Sequence, residues 1–281
     1  MDKGSEVILQ LKDRRIFVKT IGEGEAIIFL HGGPGSSHQF FLPHVLPLSQ
    51  HYKLVLYDQN GCGRSGSLRD NAYSMQDEVA TLEMLRQELQ LEKLNLFGES
   101  WGSILALLYA AAHPKNVNKL LLTAAIGVDS KGYIEFQKQL LSRMKLVDKI
   151  KLFLVDEKIK KGKASMEAML KILDPYYVYS KDALQNKVQT PVNKVVNDRI
   201  GTDINNHYDL TPALQRLSSI PILTVQGDHD ILTPAKIKEL LTDLVPDARL
   251  MKIENCGHWT VIEKPIEMNK IAYDFFGDGP V

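Results

Sequence analysis

The sequence predicts an α/β protein with an eight-stranded, mostly parallel sheet, helices on both faces and a helical cap inserted after the sixth strand. Short apolar runs alternate with amphipathic helical patterns along most of the chain, as is typical of a parallel sheet covered on both sides. This alternation breaks once, between residues 128 and 216, where the patterning is mostly helical. We therefore divide the 281 residues into a core, residues 1–127 and 217–281, and a cap, residues 128–216.

Individual elements follow from where the apolar patterns begin and end. The first two strands are expected to form an antiparallel hairpin, because a short polar turn joins them. A helix is predicted to start after Ser74, which opens a capping-box pattern. The predicted strands are residues 6–11, 15–21, 26–30, 53–57, 94–97, 119–123, 221–226 and 249–253. The other core helices are predicted at about residues 39–48, 104–112, 234–244 and 265–276.

The composition is that of an ordinary globular protein. The chain is 44% hydrophobic and 24% charged with a formal net charge of zero, so nothing points to nucleic acid as a partner. Its start lacks a secretory signal and no apolar run is long enough to span a bilayer, so we expect a cytoplasmic protein without a membrane partner. Cys62 and Cys256 provide neither a disulfide framework nor a zinc spacing, and no metal or organic cofactor is implied.

The segment Gly98-Glu99-Ser100-Trp101-Gly102 carries the clearest chemical signal. It lies between a predicted strand and a predicted helix and fits the G-x-S-x-G pattern, in which a serine occupies a strained turn. Its two glycines lack the Cβ atoms that would hold strand and helix apart. We take Ser100 as the candidate nucleophile. Glu99 is either a substrate contact or a residue that only fills the turn.

A serine hydroxyl needs a base within hydrogen-bond reach and a third group that orients the base. Segment 227–230 follows the seventh predicted strand and contains Asp228 and Asp230, whereas His258 follows the eighth. Ligands of open α/β sheets bind at the edge where these strands end. We predict Asp230 as the acid, with Asp228 as the alternative, and His258 as the base.

Acyl transfer also requires hydrogen-bond donors for the oxygen that becomes negatively charged. The backbone N–H of Trp101, directly after the serine, is one candidate donor. Segment 31–35, His-Gly-Gly-Pro-Gly, follows the third predicted strand, and Pro34 in it has no N–H. We therefore predict Gly33 as the second donor. Gly32 and Trp259 are the expected substrate contacts.

Five segments together resemble the α/β-hydrolase superfamily and, within it, the proline iminopeptidase (prolyl aminopeptidase) family of serine peptidases. They are residues 31–35, 58–65 (Asp-Gln-Asn-Gly-Cys-Gly-Arg-Ser), 98–102, 227–230 and 257–258. The resemblance implies an α/β-hydrolase fold and an aminopeptidase that releases N-terminal residues from small peptides through an acyl-enzyme. Two alternatives stay open. One is a carboxylesterase, amidase or lactonase acting on a small acyl substrate, and the other is a non-catalytic ligand-binding protein.

The chain departs from the family pattern where the substrate would be recognised. Aminopeptidases of this family hold the free amino group with acidic residues and often have a glutamate directly after the catalytic aspartate. Here that position is Ile231, and the two tryptophans, Trp101 and Trp259, both lie in the predicted core. The candidate carboxylates of the cap are Glu135, Glu157 and Glu167.

The cap is basic, with 16 Lys and Arg residues against 11 Asp and Glu residues between positions 128 and 216. Six lysines lie within residues 149–163 alone. A solvated helix face is the plain interpretation of such a run. The alternative is a basic rim that attracts an anionic substrate or a protein partner.

Overall fold

The computed structural model describes residues 4–277, and its largest feature is one eight-stranded sheet. Residues 1–3 and 278–281, which the sequence assigns to the core, lie outside the described residues. The strands are β1 (Ser5–Leu11), β2 (Arg14–Ile21), β3 (Ala26–Leu30), β4 (Lys53–Tyr57), β5 (Leu94–Glu99), β6 (Val117–Thr123), β7 (Ile222–Gly227) and β8 (Arg249–Ile253). Each predicted strand agrees with the observed one to within two residues at either end.

The strand order is β1-β2-β4-β3-β5-β6-β7-β8. β1 pairs with β2 and β2 with β4 in antiparallel fashion, whereas every other pair of neighbours is parallel. The predicted α/β class with a mostly parallel sheet is confirmed. All six residues of β5 are buried, as expected for a central strand covered on both faces.

Nine α-helices accompany the sheet within residues 4–277. They are α1 (Met75–Glu88), α2 (Trp101–Ala112), α3 (Ser130–Arg143), α4 (Leu146–Lys160), α5 (Met166–Leu173), α6 (Lys194–His207), α7 (Pro234–Ile237), α8 (Thr260–Glu263) and α9 (Pro265–Phe276). Ser74 caps α1 as predicted, since its Oγ accepts the Asp77 N–H at 3.1 Å.

Two predicted helices differ from the structure. Residues 39–48 do not form one helix but two short 3-10 turns, His38–Phe41 and Leu46–Gln50. Pro43 lies between them, and a proline has no N–H to donate and disfavours helical backbone in the residue before it. The helix predicted at 234–244 is divided as well, because α7 passes into a π-helical turn at Lys238–Thr242.

The cap helices α3 to α6 all lie between β6 and β7. The two ends of this insertion meet, because the Leu210 N–H donates to the Val128 carbonyl at 2.9 Å and the Tyr208 hydroxyl donates to the Gly127 carbonyl at 2.9 Å. A single β-bridge between Asp129 and Asp209 adds to this closure. The exact division of the chain at residues 128 and 216 stays a prediction.

Parallel pairing explains why distant segments meet at one edge of the sheet. Leu30 at the end of β3 pairs in register with Gly98 of β5, and Gly227 at the end of β7 pairs with Ile253 of β8. The segments that follow these four strands therefore leave the sheet side by side. They are the segments in which the sequence places its candidate functional residues.

The close approach of α2 to β3 provides a test of the fold. A Cβ added at Gly102 would lie 1.9 Å from the Leu30 carbonyl oxygen, a backbone atom that cannot move aside easily. We expect Gly102→Ala to lower the free energy of unfolding by about 1–3 kcal/mol, measured by urea denaturation. Gly201→Ala in α6 is the matched control, because its Cβ would meet only the Tyr133 hydroxyl, at 3.1 Å. Equal stability of Gly102→Ala and wild type would contradict this account.

Candidate active site

Ser100 lies on a sharp turn between β5 and α2 with φ 52° and ψ −115°. A positive φ is unfavourable for a residue with a side chain, so the surrounding contacts must hold this conformation. The Ser100 N–H donates to the Thr123 carbonyl of β6 at 3.0 Å, and the Ser103 N–H donates to the Ser100 carbonyl at 2.8 Å. The turn leaves the Ser100 side chain at the carboxyl edge of the sheet.

The structure brings Ser100, His258 and Asp230 into one hydrogen-bonded chain. His258 Nε2 lies 3.0 Å from Ser100 Oγ, and His258 Nδ1 lies 2.7 Å from Asp230 Oδ1. His258 and Asp230 are both buried. Burial by itself would lower the pKa of His258, but the charge of Asp230 and its hydrogen bond outweigh that effect and raise the pKa. The Asp230 carboxylate therefore stabilises the protonated imidazole.

The two candidate aspartates differ in their partners. Asp228 Oδ1 accepts the Cys256 N–H at 3.1 Å and does not face His258, so the structure favours Asp230. Gln226 orients the Asp230 carboxylate, because its Nε2 donates to Asp230 Oδ2 at 2.7 Å. Arg143 of α3 donates to the backbone carbonyl of Asp230. Neither Gln226 nor Arg143 was singled out from the sequence.

The two predicted oxyanion donors both line the same cavity as Ser100. Trp101 is the first residue of α2, so its N–H is one of those that a helix leaves without an internal acceptor. Gly33 has φ 44°. No hydrogen-bond acceptor for its N–H occurs among residues 4–277. Both N–H groups are thus available to an oxygen bound beside Ser100.

The cap helps to hold the loop that carries Gly33. Asn197 Nδ2 donates to the Pro34 carbonyl at 3.0 Å, and the Asn193 N–H donates to the Gly35 carbonyl at 2.9 Å. A donor for an oxyanion is effective only if its position is already set before the reaction. The start of α6 therefore contributes to the geometry of the predicted oxyanion site.

Segment 58–65 connects this loop to the serine turn. Gln59 Nε2 donates to the His31 carbonyl at 2.9 Å, and Gln59 Oε1 accepts the Trp101 indole N–H at 2.7 Å. Burial lowers the pKa of His31 to about 4, so its ring is neutral and its Nε2 accepts the Gln59 N–H at 3.2 Å. The two segments that carry much of the family resemblance thus act together as a rigid support.

A cavity of about 280 Å³ opens above Ser100. The predicted contacts Gly32 and Trp259 both line it. Trp259 stacks on Tyr177 with ring centroids 5.2 Å apart, and Lys187 Nζ lies 4.6 Å from the Trp259 ring. The roof comes from the cap and is largely apolar: Phe136, Leu140, Met166, Met169, Leu170, Leu173, Val188 and Val192.

Glu99 is the carboxylate of this cavity. None of Glu135, Glu157 and Glu167, the cap carboxylates considered from the sequence, lines it. The Glu99 side chain is 2% exposed, and a Cβ on Gly32 would lie 1.8 Å from its Oε2, so the carboxylate lies directly against that residue. Burial raises the pKa of Glu99 to about 7. No lysine or arginine within the described residues forms an ion pair with it.

Glu263 connects the cap to the His258 loop, a function the sequence did not indicate beyond a helix start. Its carboxylate accepts the N–H groups of Gly257 at 2.6 Å, Tyr179 at 2.8 Å and Ser180 at 3.0 Å. The His258 N–H in turn donates to the Tyr177 carbonyl at 2.7 Å. His258 therefore sits in a loop that is clamped to the cap segment following α5.

No group of three or more His, Cys, Asp or Glu side chains within residues 4–277 is arranged to hold a metal ion. Over that range, no helix is both long and apolar enough to cross a bilayer. Cys62 and Cys256 are buried free thiols.

The sequence pattern of the alpha/beta hydrolase fold family matches residues 25–265, most of the chain. The chain belongs to the α/β hydrolase family. It is therefore a hydrolase enzyme, and the predicted α/β-hydrolase superfamily and fold are confirmed.

Relatives of this hydrolase include proline iminopeptidases. That of Lactobacillus helveticus is 28% identical over 270 residues, which cover 87% of each chain. A solved α/β-fold hydrolase from Bacillus anthracis has a TM-score of 0.78 at 21% identity, covering 97% of this chain and 99% of that one. An enol-lactonase from Burkholderia xenovorans has a TM-score of 0.76 at 19% identity, covering 96% and 99%. The two structural likenesses establish a shared fold and no shared substrate.

The clamp at Glu263 yields a stability prediction. Glu263→Gln replaces one acceptor oxygen with an amide that faces N–H groups, so we expect a loss of about 1–3 kcal/mol in the free energy of unfolding. Glu88→Gln is the control, because Glu88 is exposed at the end of α1. Thermal and urea unfolding of both variants measure the effect. Equal free energies of unfolding for Glu263→Gln and Glu88→Gln would contradict this role of Glu263.

Proposed function

We propose that this hydrolase acts as a serine hydrolase through an acyl-enzyme, on small substrates with an apolar acyl group. The hydrogen-bonded chain from Ser100 through His258 to Asp230 carries this proposal. A serine paired with a base that a buried carboxylate orients is the arrangement that nucleophilic catalysis requires.

In the first half of the reaction, Ser100 Oγ attacks the substrate carbonyl carbon and His258 Nε2 takes the hydroxyl proton. The carbonyl π electrons move to the oxygen, which the N–H groups of Gly33 and Trp101 stabilise. When the tetrahedral intermediate collapses, its bond to the leaving group breaks and His258 returns the proton to that group. Because Asp230 raises the pKa of His258, the imidazole can hold the proton between these steps.

The second half repeats this sequence with water. The leaving group departs, and a water molecule in its place gives a proton to His258 Nε2 and attacks the acyl carbon. Collapse breaks the bond to Ser100 Oγ, which recovers the proton. The products are a carboxylic acid and the protonated leaving group, and the enzyme returns to its original state, so the reaction consumes only the substrate and water.

The cavity supports an apolar acyl group. Its roof is built from methionine, leucine and phenylalanine side chains of α3 and α5, which favour the burial of apolar surface. Methionine side chains also adapt to ligands of different shape. A volume near 280 Å³ is small, so the acyl portion would be short or singly ringed.

A second candidate is an aminopeptidase of the proline iminopeptidase type, which would act on an aminoacyl substrate. Relatives with that name support it, and so does Glu99. The amino nitrogen of an aminoacyl substrate is two bonds from the carbonyl carbon that Ser100 would attack. Glu99 is the neighbour of Ser100 in the chain and lies against Gly32, next to the proposed oxyanion donor Gly33. An ionised Glu99 is thus near enough to pair with such an ammonium.

The serine mechanism is tested with an active-site probe. We expect a fluorophosphonate to label wild type at Ser100, and Ser100→Ala to lose both labelling and more than about 99.9% of kcat on an aryl ester, since the attacking atom is gone. Ser103→Ala is the control, because that hydroxyl donates to the Ser100 carbonyl, at 2.6 Å, and lies outside the cavity lining. Labelling elsewhere, or normal turnover by Ser100→Ala, would refute the mechanism.

The acyl preference is tested with substrates that differ only in the amine. Aryl esters of proline and of cyclopentanecarboxylic acid have nearly the same shape, but only the first carries an ammonium. We expect Glu99→Gln to lower kcat/KM for the prolyl ester by roughly tenfold or more, because a charge-assisted contact is lost. The cyclopentane ester should react as fast or faster, since a negative charge beside the oxyanion is removed.

The wild-type ratio of the two esters decides between the candidate functions. A preference for the prolyl ester that grows as pH rises through about 7, where Glu99 ionises, would favour the aminopeptidase. A preference for the cyclopentane ester at every pH would favour simple acyl substrates. Parallel changes for both esters in Glu99→Gln would exclude an ammonium contact at Glu99.

A further inference from the structure

Helix α4 presents an apolar face to solvent. Its exposed apolar side chains are Leu146 (74% exposed), Val147 (54%), Ile150 (53%), Phe153 (64%) and Leu154 (52%). A helix advances about 100° per residue, so these five side chains occupy an arc of about 120°, within which the last turn of α4 also places Glu157, an ion-pair partner of Lys160. None of the 15 residues of α4 is fully buried. The half-buried Leu152, Val155 and Ile159 lie on the opposite side of the helix, where α4 packs against α5.

Lysines border this apolar face on both sides. By the same angular spacing, Lys149 and Lys160 lie along one edge and Lys151 and Lys158 along the other. Lys151 and Lys160 pair with acidic residues of the same helix. Lys149 and Lys158 form no ion pair with any residue in the described range 4–277. Across residues 145–163 the chain has seven lysines and three acidic residues.

More positive charge lies at the start of the same helix. A cleft of about 370 Å³ opens there, and its charged lining residues include Lys145, Lys151, Lys171 and Lys181 against one carboxylate, Asp148. The helix therefore combines an exposed apolar strip, basic borders and a basic cleft at one end. An exposed apolar strip with basic borders suits the interface of a membrane, where the strip would lie among the acyl chains and the lysines at the head groups.

We propose that α4 docks this hydrolase onto the surface of a bilayer that contains anionic phospholipids. Charge complementarity favours this partner over a second copy of the chain. Two α4 faces brought together would place the lysine borders of one against those of the other, whereas anionic head groups neutralise both borders. The expectation of no membrane partner rested on the lack of a spanning segment, and a helix that lies on the surface needs none.

The test is co-sedimentation of the full chain with vesicles. Vesicles of phosphatidylglycerol and phosphatidylcholine in equal parts should bind the protein, and this binding should weaken as sodium chloride is added. Vesicles of phosphatidylcholine alone should bind it far less. Phe153→Glu should weaken the partition coefficient by roughly tenfold or more, because one large apolar side chain is lost from the interface. Lys149→Gln and Lys158→Gln should each weaken it by roughly fivefold, because one positive charge is lost.

Ile266→Glu is the matched control, because Ile266 is a single apolar side chain on α9 and is 86% exposed. It should bind vesicles as wild type does, and circular dichroism should show equal thermal unfolding for all four variants, since every altered side chain is solvent-accessible. None of these residues lines the cavity, so aryl ester hydrolysis in buffer should not change.

Three results would overturn the proposal. The first is no binding to the phosphatidylglycerol vesicles. The second is a loss of binding in Ile266→Glu as large as that in Phe153→Glu. The third is a lipid-free dimer, seen by analytical ultracentrifugation, that Phe153→Glu converts to a monomer, because the apolar face would then belong to a second copy.

Discussion

The backbone of Ser100 is the constraint on which the rest of the site depends. A serine at φ 52° and ψ −115° is strained and persists only because its neighbours leave no alternative. Gly102 lets α2 rest on the Leu30 carbonyl of β3, and the Ser100 N–H is held by Thr123 of β6. Three adjacent strands thus fix one hydroxyl. Every other group of the site takes its position relative to that oxygen.

The sequence is sufficient to bring Ser100, Asp230 and His258 together because each directly follows a parallel strand. Strand position is readable from apolar runs, and the register of a parallel sheet then brings the ends of those strands to one edge. The contacts between the cap and the core cannot be predicted in this way. Glu263 and Arg143 act through backbone partners more than eighty residues away, and no local pattern encodes which loop a helix will touch. The sequence shows that Glu99 precedes Ser100, but it does not show whether Glu99 faces the cavity. That depends on its burial against Gly32, a residue distant in the chain.

Glu99 presents an electrostatic problem that the site must solve. An anionic carboxylate beside the proposed oxyanion donors would oppose the negative charge that develops in the reaction. Its pKa near 7 allows two solutions. A neutral Glu99 removes the repulsion, and an ionised Glu99 is tolerable when a substrate cation lies between it and the oxyanion. In the proposed mechanism, the protonation of this one side chain would link substrate charge to turnover.

The two sides of the cap differ in how firmly they are held to the rest of the protein. Its inner side positions the site, because Tyr177 and Arg143 hydrogen-bond to the loops of His258 and Asp230. Its outer side, α4, makes few packing contacts, so it can be engaged from outside without disturbing those bonds. Helix α5 lies between the two, packed on α4 and lining the cavity with Met166 and Met169. A surface that binds α4 would thus act on the cavity through α5, whose methionines adapt to a shift, and through Tyr176, whose hydroxyl donates to Asp148 of α4 at 2.8 Å.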